Sequence, residues 1–580
     1  MRILHLSVAN FRGVKHADWA VGDQCVCLVG PNDSTKTTLL DAIEITLSPS
    51  PYLNLSEVDF HDASTGAPIE VRVTIGDISP ASPLWLDEKF GLLKRGWTPD
   101  GKLKDEPEDD GWKPILTVRL RVDDSYEPEW TVVADRRPEG IRISHRDRAL
   151  FGAVRLGDEV ERDLTWGRFS LLSRLTGGND PADAVVAEAQ RQLRKAAQAG
   201  DMSKLNAAAR KVQGASERLG VRPRNQYQPG LDSKLVTFRQ GAFALHDGDI
   251  PVRAAGLGTR RLTALAIQRA AVPEGAIVLI DEVEHGLEPY RIRRLLRNLR
   301  QDTEKQSQES LEPGLGQVIM TTHSAVPLLE LDHRHIRVVR STSGTTQVLK
   351  PTEDTQGVLR RVPAAFLARK VLLCEGATEV GLSRRLSEHW RGKHKEVPIE
   401  HYGVEMADGG GTNASAAAIA LRELEYDVLY FGDSDEVKEE TIDDLTGRGV
   451  KVVLWSDRLC VEQRIARDLP AAGFEELLAL ACRVRGKDSI RDAVKSTLRI
   501  SDNPTDPSKI QAWGIIGVQE SDLRRAFGEA AQDKRGRPAW FKSVGGGEAL
   551  GKLVVKHLAS MEGTDTSSKL GEVEAWCYNG

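Results

Sequence analysis

Apolar positions along the chain follow three patterns, and each predicts a different element. Short continuous apolar runs suit buried strands, and they occur at Ile3 to Val8, Gln24 to Val29, Ala276 to Ile280, Val318 to Met320, Val371 to Leu373, Val428 to Phe431 and Lys451 to Trp455. Residues 68–135 alternate instead, with Val71, Val73 and Ile75 on one face and later Val118, Leu120 and Val122, as half-buried strands do. Between these strands the acidic run Asp105 to Asp110 reads as a solvated loop. Residues 1–30 are read as two strands joined by a turn at Asn10-Phe11-Arg12-Gly13. Residues 181–220 switch to helical spacing: Val186, Ala189, Leu193 and Ala196, then Leu205, Ala208, Val212, Ala215 and Leu219, separated by Gly200-Asp201 and capped at Ser203. That hairpin is either a docking or dimerisation arm or a piece packed on its own domain. Pro351 to Pro363 reads as a linker, and residues 471–500 as helical.

Chemistry enters where the apolar strands end. After Val29 comes Gly30-Pro31-Asn32-Asp33-Ser34-Thr35-Lys36-Thr37-Thr38, a strand-loop-helix of the Walker A kind. Backbone N–H groups and the helix N-terminus would cradle phosphates, Lys36 would reach the β/γ oxygens and Thr37 would ligand Mg²⁺. Thr35 stands where a glycine is expected, which crowds the approach to phosphate and predicts slow hydrolysis or weakened binding. Ala254-Ala255-Gly256-Leu257-Gly258-Thr259 opens a helix where ABC-type ATPases carry a signature loop. The strand Ala276 to Ile280 then ends in Asp281-Glu282, with Asp281 for the Mg²⁺ shell and Glu282 for the attacking water. A further strand ends near His323, which could contact the γ-phosphate. Arg291, Arg293, Arg294, Arg297 and Arg300 crowd one following helix, either as a salt-bridged face or as a phosphate-tracking patch.

A second centre is acidic. One apolar strand ends in Glu375-Gly376-Ala377-Thr378-Glu379, and another in Asp433-Ser434-Asp435. Carboxylates at the C-terminal ends of parallel strands face the crevice where such sheets bind ligands. Glu375, Glu379, Asp433 and Asp435 would repel one another unless divalent cations lay between them, and hard oxygen ligands favour Mg²⁺ or Mn²⁺. Such a centre suits phosphate chemistry.

Composition narrows the partners. With 79 Lys and Arg against 85 Asp and Glu, the net charge is −6, so nucleic acid would be met by local patches. Six scattered cysteines without a Cys-x-x-Cys pair argue against a disulfide framework and a zinc ribbon. No signal peptide is evident after Met1, and no apolar run nears the ~18 residues of a membrane span, so the expectation is a cytoplasmic protein without membrane contact.

The phosphate loop, Asp281-Glu282 and His323 in this order, with Asn10-Phe11-Arg12-Gly13 at the start, resemble the SMC/RecF branch of ABC-type ATPases. Glu-Gly-x-x-Glu followed by Asp-x-Asp resembles a TOPRIM domain. Together they resemble the OLD (overcoming lysogenization defect) nuclease family, and most its class 2 members, which include the GajA subunit of Gabija anti-phage systems. The resemblance implies an α/β fold: an ATPase over 1–165 and 231–355, a helical insertion at 166–230 serving as a dimerisation arm, and a Rossmann-like TOPRIM domain over 366–580 with a helical insertion at 471–500. It implies Glu375, Glu379, Asp433, Asp435 and Glu462 as metal ligands and catalytic acids, with Glu520 or Asp522 as further ligands. Arg524 replaces the last acid of the family's Asp-Leu-Glu. Lys542 matches a late lysine that steadies charge on the scissile phosphate. It further implies two Mg²⁺ or Mn²⁺ ions, ATP with Mg²⁺, DNA as substrate, a homodimer or higher homo-oligomer, and a UvrD-like helicase (GajB-like) as a candidate partner. The competing reading is a repair or recombination ATPase whose TOPRIM-like region binds DNA without cutting it.

Overall fold

The computed structural model describes residues 1–580 apart from 51, 79–83, 85–87, 92, 99–101, 106–112, 157–159, 161–163, 167–169, 171, 173–174, 176–201, 232–242, 272–274, 305–315, 436, 533–538 and 580. The chain divides into two units, Met1–Lys350 and Pro351–Gly580.

The first unit is organised by one large sheet. Its principal strands are β1 (Arg2–Phe11), β2 (Val14–Ala20), β3 (Cys25–Val29), β4 (Ile69–Gly76), β5 (Lys113–Val122), β6 (Pro128–Ala134), β7 (Arg137–Arg142), β8 (Ala153–Leu156), β9 (Ile277–Ile280), β10 (Gln317–Thr321), β11 (Ile336–Thr342) and β12 (Thr345–Leu349). The order β8-β9-β10-β3-β11 is parallel throughout, whereas β2, β1, β4 and β5 pair antiparallel. Every residue of β3, β9 and β10 is buried, as expected of strands covered on both faces. Helix α1 (Lys36–Leu47) follows β3 and buries Leu39, Leu40, Ile43 and Leu47.

Three sequence expectations are corrected or refined here. The turn at Asn10 to Gly13 leads into a full strand, β2, which the sequence reading passed over: Val14, Ala17 and Trp19 are buried while Lys15, His16 and Asp18 are not. The first helix of the expected hairpin, Val186 to Ala196, lies outside the described residues. The second is α2 (Ser203–Arg218), and its Leu205, Ala208, Ala209 and Val212 are buried within this unit, where it packs on α3 (Leu257–Ala271). On α4 (Pro289–Glu304), Arg291 pairs with Glu288 and Arg293 with Glu330, and Arg294 donates to the carbonyl oxygens of Glu217 and Arg218. Most of that arginine row therefore holds the unit together.

The second unit begins without an extended linker. Pro351 to Pro363 contains a short helix, Gln356–Arg361, because Val358 and Leu359 have a core to enter. The sheet has four parallel strands, β13 (Lys370–Cys374), β14 (Val404–Asp408), β15 (Asp427–Gly432) and β16 (Lys451–Leu454), in the order β14-β13-β15-β16. Around it lie α5 (Ala377–Lys393), α6 (Ala414–Glu423), α7 (Glu439–Gly447), α8 (Val461–Asp468), α9 (Ala471–Arg485), α10 (Lys487–Leu498), α11 (Glu520–Ala531), α12 (Val544–His557) and α13 (Asp565–Tyr578). Phe431, Trp455, Phe474, Phe527 and Trp540 fill the core between sheet and helices. All six cysteines are buried, and none of them forms a disulfide. Among the described residues, no helix is long and apolar enough to cross a membrane.

Helices α5 and α12 touch backbone to backbone. A Cβ on Gly381 would lie 2.0 Å from the Val544 carbonyl oxygen, and one on Gly547 would lie 2.0 Å from that of Thr378. In an exposed helix interior, glycine to alanine stabilises by about 1 kcal/mol. At this crossing the sign reverses, because the added methyl must drive two helices apart, and overpacking costs typically about 1–3 kcal/mol. Gly381→Ala is expected to lower the unfolding free energy by about 2 kcal/mol, read from urea titrations of the full chain; an increase in stability would mean that the helices do not cross this closely.

Candidate active site

The C-terminal ends of β13 and β15 open onto one cavity of about 240 Å³. Glu375 follows β13, Asp433 and Asp435 follow β15, Glu379 lies in the first turn of α5, and Glu462 in the first turn of α8. All five line the cavity, together with Lys542, Thr378, Cys460 and Gln532. Glu520 and Asp522, expected as further ligands, are not among the lining residues. Glu520 accepts from Arg524 at 2.6 and 2.9 Å, and Asp522 pairs with Arg525 at 3.2 Å, both within α11. Their i,i+4 and i,i+3 spacing made those partners available on the helix itself.

Local structure fixes each acid. The Glu375 N–H donates to the Phe431 carbonyl oxygen at 2.8 Å, and Glu375 Oε2 accepts from the Asp433 N–H at 2.8 Å. Asp433 Oδ1 in turn accepts from the Val461 N–H at 2.8 Å, which ties the end of β15 to the start of α8. Glu379 Oε2 accepts from the Gly376 N–H at 3.0 Å at the head of α5. Gln532 donates to Asp435 at 3.4 Å and to the Cys460 sulfur at 3.5 Å. Neither Cys460 nor Gln532 carried a sequence signal; only the fold brings them to the acids. Helix α8 is held from below by Arg464, 3 % exposed, which reaches Asp457 at 3.2 Å, Asp468 at 3.4 Å and Asp565 at 3.2 Å.

Electrostatically the cavity is costly. Burial pushes the Glu379 carboxyl up to about 8, with the neighbouring Glu462 and Glu375 adding to the shift. Burial also raises Asp433 well above the carboxylate range, helped by Glu379, Glu462 and Glu375, and it raises Glu462, against which Lys542 acts. Among the described residues, no three His, Cys, Asp or Glu side chains stand close enough together to hold one metal ion as they lie. The acids instead ring the cavity, several turned toward backbone N–H groups. This donor set fits a hard divalent cation, since only added positive charge would let these carboxylates ionise together.

In the first unit, the parallel strands β3, β9 and β10 end side by side, and their loops carry the second group of predicted residues. Gly30 has φ 143°, and a Cβ there would lie 2.5 Å from the Val339 carbonyl oxygen. Asn32 is exposed, and Thr38 is half-buried in the first turn of α1. Lys36 is buried and donates to the Gly30 and Pro31 carbonyl oxygens at 3.0 and 2.8 Å and to Ser34 Oγ at 3.1 Å. Burial lowers its ammonium to about 8, although Asp281 and Asp33 favour the charge. Thr35 takes the left-handed conformation, φ 66°, and its hydroxyl donates to the Ser34 carbonyl oxygen at 2.6 Å. Thr37 donates to Asp281 at 3.2 Å. Glu282 and His323 are exposed at the same edge, and burial lowers the His323 imidazolium, with Lys36 adding to the shift. Lys36, Thr37 and Asp281 thus meet as a nucleotide with its cation would need.

Comparison with known proteins follows the same division. Residues 25–332 match the family described as "AAA domain, putative AbiEii toxin, Type IV TA system". Residues 366–435 match the family described as "Overcoming lysogenization defect protein-like, TOPRIM domain". A search of curated proteins found no match. Similar solved structures include an Smc head bound to the C-winged helix domain of ScpA, at 17% identity and TM-score 0.37, covering 60% of this chain and 97% of that one. They also include the Pyrococcus furiosus Smc head domain with an extended coiled coil bound to the C-terminal domain of ScpA, at 15% identity and TM-score 0.37, covering 60% and 95%. A third is the SMC head domain from Thermotoga maritima, at 14% identity and TM-score 0.32, covering 61% and 100%.

The buried acids make stability depend on pH in a defined direction. Glu379 is raised from 4.5 to about 8, so the folded chain holds a proton that the unfolded chain releases between those values. Its contribution is present below the unfolded pKa and is lost as pH rises through the folded one. Without divalent cations, the melting temperature is expected to fall as pH rises from about 5 to 8.5, more steeply than in Glu379→Gln, and Mn²⁺ is expected to restore it at the alkaline end. Identical slopes for the two proteins, in thermal melts with chelator present, would count against a protonated Glu379.

Proposed function

We propose that this chain, which belongs to the AAA-domain family matched over residues 25–332 and carries an OLD-like TOPRIM domain behind it, is a nucleotide-regulated, divalent-metal-dependent DNA endonuclease. The observation that carries this reading is the convergence of Glu375, Glu379, Asp433, Asp435 and Glu462 on one cavity that also contains Lys542.

Those acids suit two Mg²⁺ or Mn²⁺ ions, which supply an activated water and stabilise the leaving 3′ oxygen in phosphodiester hydrolysis. Glu375 and Asp433, linked through a backbone hydrogen bond, would hold the cations against the sheet. Glu379 and Glu462 approach from the first turns of two helices and give up their raised proton affinity as positive charge arrives. Asp435 sits exposed at the rim beside Gln532, and the Lys542 ammonium, also exposed, is available to a phosphate oxygen.

For the first unit, Lys36 and Thr37 would meet the phosphates and their Mg²⁺, with Asp281 in the cation shell, Glu282 toward the attacking water and His323 toward the γ-phosphate. Gly30, Asn32 and Thr38 complete the loop. Each chain has one such loop and one Ala254 to Gly258 turn at the head of α3, so a nucleotide capped by a second chain's turn requires a homodimer or larger homo-oligomer. A role in anti-phage defence, the GajA-like subgroup and a UvrD-like helicase partner are supported by the OLD resemblance of the motifs.

Plasmid cleavage tests the reading. Purified wild type with Mg²⁺ or Mn²⁺ is expected to convert supercoiled plasmid to nicked or linear forms, and Asp435→Ala to lower the rate by at least about 10²-fold with an unchanged circular dichroism spectrum. Lys36→Ala, assayed with and without ATP, gives the direction of nucleotide control. DNA-stimulated ATP hydrolysis by wild type without strand breaks on any substrate would reject the endonuclease in favour of a repair or recombination ATPase.

A further inference from the structure

Beside the phosphate loop lies an ion-pair network that the proposed reaction does not employ. Both oxygens of Asp281 are engaged. Oδ1 accepts from Thr37 Oγ1 at 3.2 Å and Thr321 Oγ1 at 2.6 Å, and Oδ2 accepts from Arg155 Nη2 at 2.8 Å. Arg155 projects from β8, paired in parallel with β9, whose end carries Asp281. Its Nη1 reaches Asp41 and, at 3.0 Å, Glu44, both on α1, the helix that begins at Lys36. One guanidinium, 11% exposed, therefore bridges three carboxylates around the loop.

We infer that Arg155 competes with the divalent cation of a nucleotide for Asp281, so that a nucleotide–Mg²⁺ complex enters only by opening the Arg155–Asp281 pair. The inference rests on reading Gly30 to Thr38 as a nucleotide loop. Thr37 and Asp281 are the residues that would share the cation, and Arg155 already places positive charge on that carboxylate. An arginine does not deprotonate, so it yields its place only by moving. Asp41 and Glu44 can keep hold of Nη1 while Nη2 leaves Asp281, so the guanidinium does not lose all its partners. Lys36 is arranged in the same way, its ammonium donating to the loop's own carbonyl oxygens. Both cationic side chains thus satisfy themselves on the protein, and both must exchange partners when phosphate and its cation arrive. Arg155 is accordingly a positioning residue that sets how much Mg²⁺ the site demands.

The experiment is a titration of N-methylanthraniloyl-ATP fluorescence on the full-length protein over a range of free Mg²⁺, with an EDTA reference, for wild type, Arg155→Met and Arg155→Lys. Competition predicts that the Mg²⁺ concentration for half-maximal binding falls about three- to tenfold in Arg155→Met, with Arg155→Lys between the two, since it keeps the charge but not the fork. Equal Mg²⁺ midpoints in wild type and Arg155→Met would overturn the inference and leave the nucleotide reading intact. Should Arg155→Met fail to fold, Arg155→Lys decides by the same criterion. A wild type that does not bind the analogue with or without Mg²⁺ overturns the nucleotide reading, and the inference with it.

Discussion

Like-charge repulsion inside a small cavity is the constraint to which the second unit is built. At an effective dielectric near 20, two carboxylates about 5 Å apart repel by roughly 3 kcal/mol, and here Glu375, Glu379 and Glu462 each raise the proton affinity of a neighbouring acid. The protein resists the resulting outward push with rigid supports. Backbone hydrogen bonds from Asp433 and Val461 clamp two of the acids to the strand ends. Arg464 pins the helix of Glu462 to Asp457 and Asp565, and the glycine contact of α5 with α12 fixes the helix of Glu379. That same contact delivers Lys542, two residues before α12 begins, to the cavity wall.

The first unit solves the opposite problem. Its edge gathers cationic as well as acidic groups, and it balances them internally through Arg155 and Lys36. One centre therefore accumulates proton affinity that a cation would relieve, and the other holds cationic side chains that, on the proposed reading, a nucleotide would have to displace. In both, the sheet does the positioning. Parallel strands end together, so loops that follow apolar runs bring distant residues such as Thr37 and Asp281, or Glu375 and Asp433, to within a hydrogen bond of each other.

That is also why so much was legible in the chain. An apolar run that ends in acid announces both a buried strand and a side chain at its C-terminal edge, and this placed Glu375, Asp433 and Asp281 without further information. Glu379 followed from a helix start, and Glu462 from the resemblance to the OLD family. Partners that come from elsewhere on the fold leave no such trace in the chain. Strand β2 was passed over because Val14, Ala17 and Trp19 are spaced three and then two apart, a faint alternation interrupted by His16. Glu520 and Asp522 looked like available ligands, yet Arg524 and Arg525 stood in plain view at helical spacing. Gln532, Cys460 and Arg155 carry no motif. Their roles exist only once α11, α8 and β8 are folded against their neighbours.

Thr35 shows where local conformation and motif disagree. A β-branched residue at φ 66° sits in a region that glycine occupies freely, and such strain costs about 1–3 kcal/mol. The loop retains it because neighbours over-determine the geometry. The Thr35 hydroxyl lies 2.9 Å from that of Thr346, and its methyl reaches the face of Gly13, where a Cβ would stand 3.1 Å away. The glycine of the Asn10 to Gly13 turn thus makes room for the side chain that the phosphate loop was expected to lack. Bound from two sides, the loop has less freedom to rearrange than a glycine would give it, and a stiff loop with a cation-occupied Asp281 is better suited to registering nucleotide than to rapid turnover.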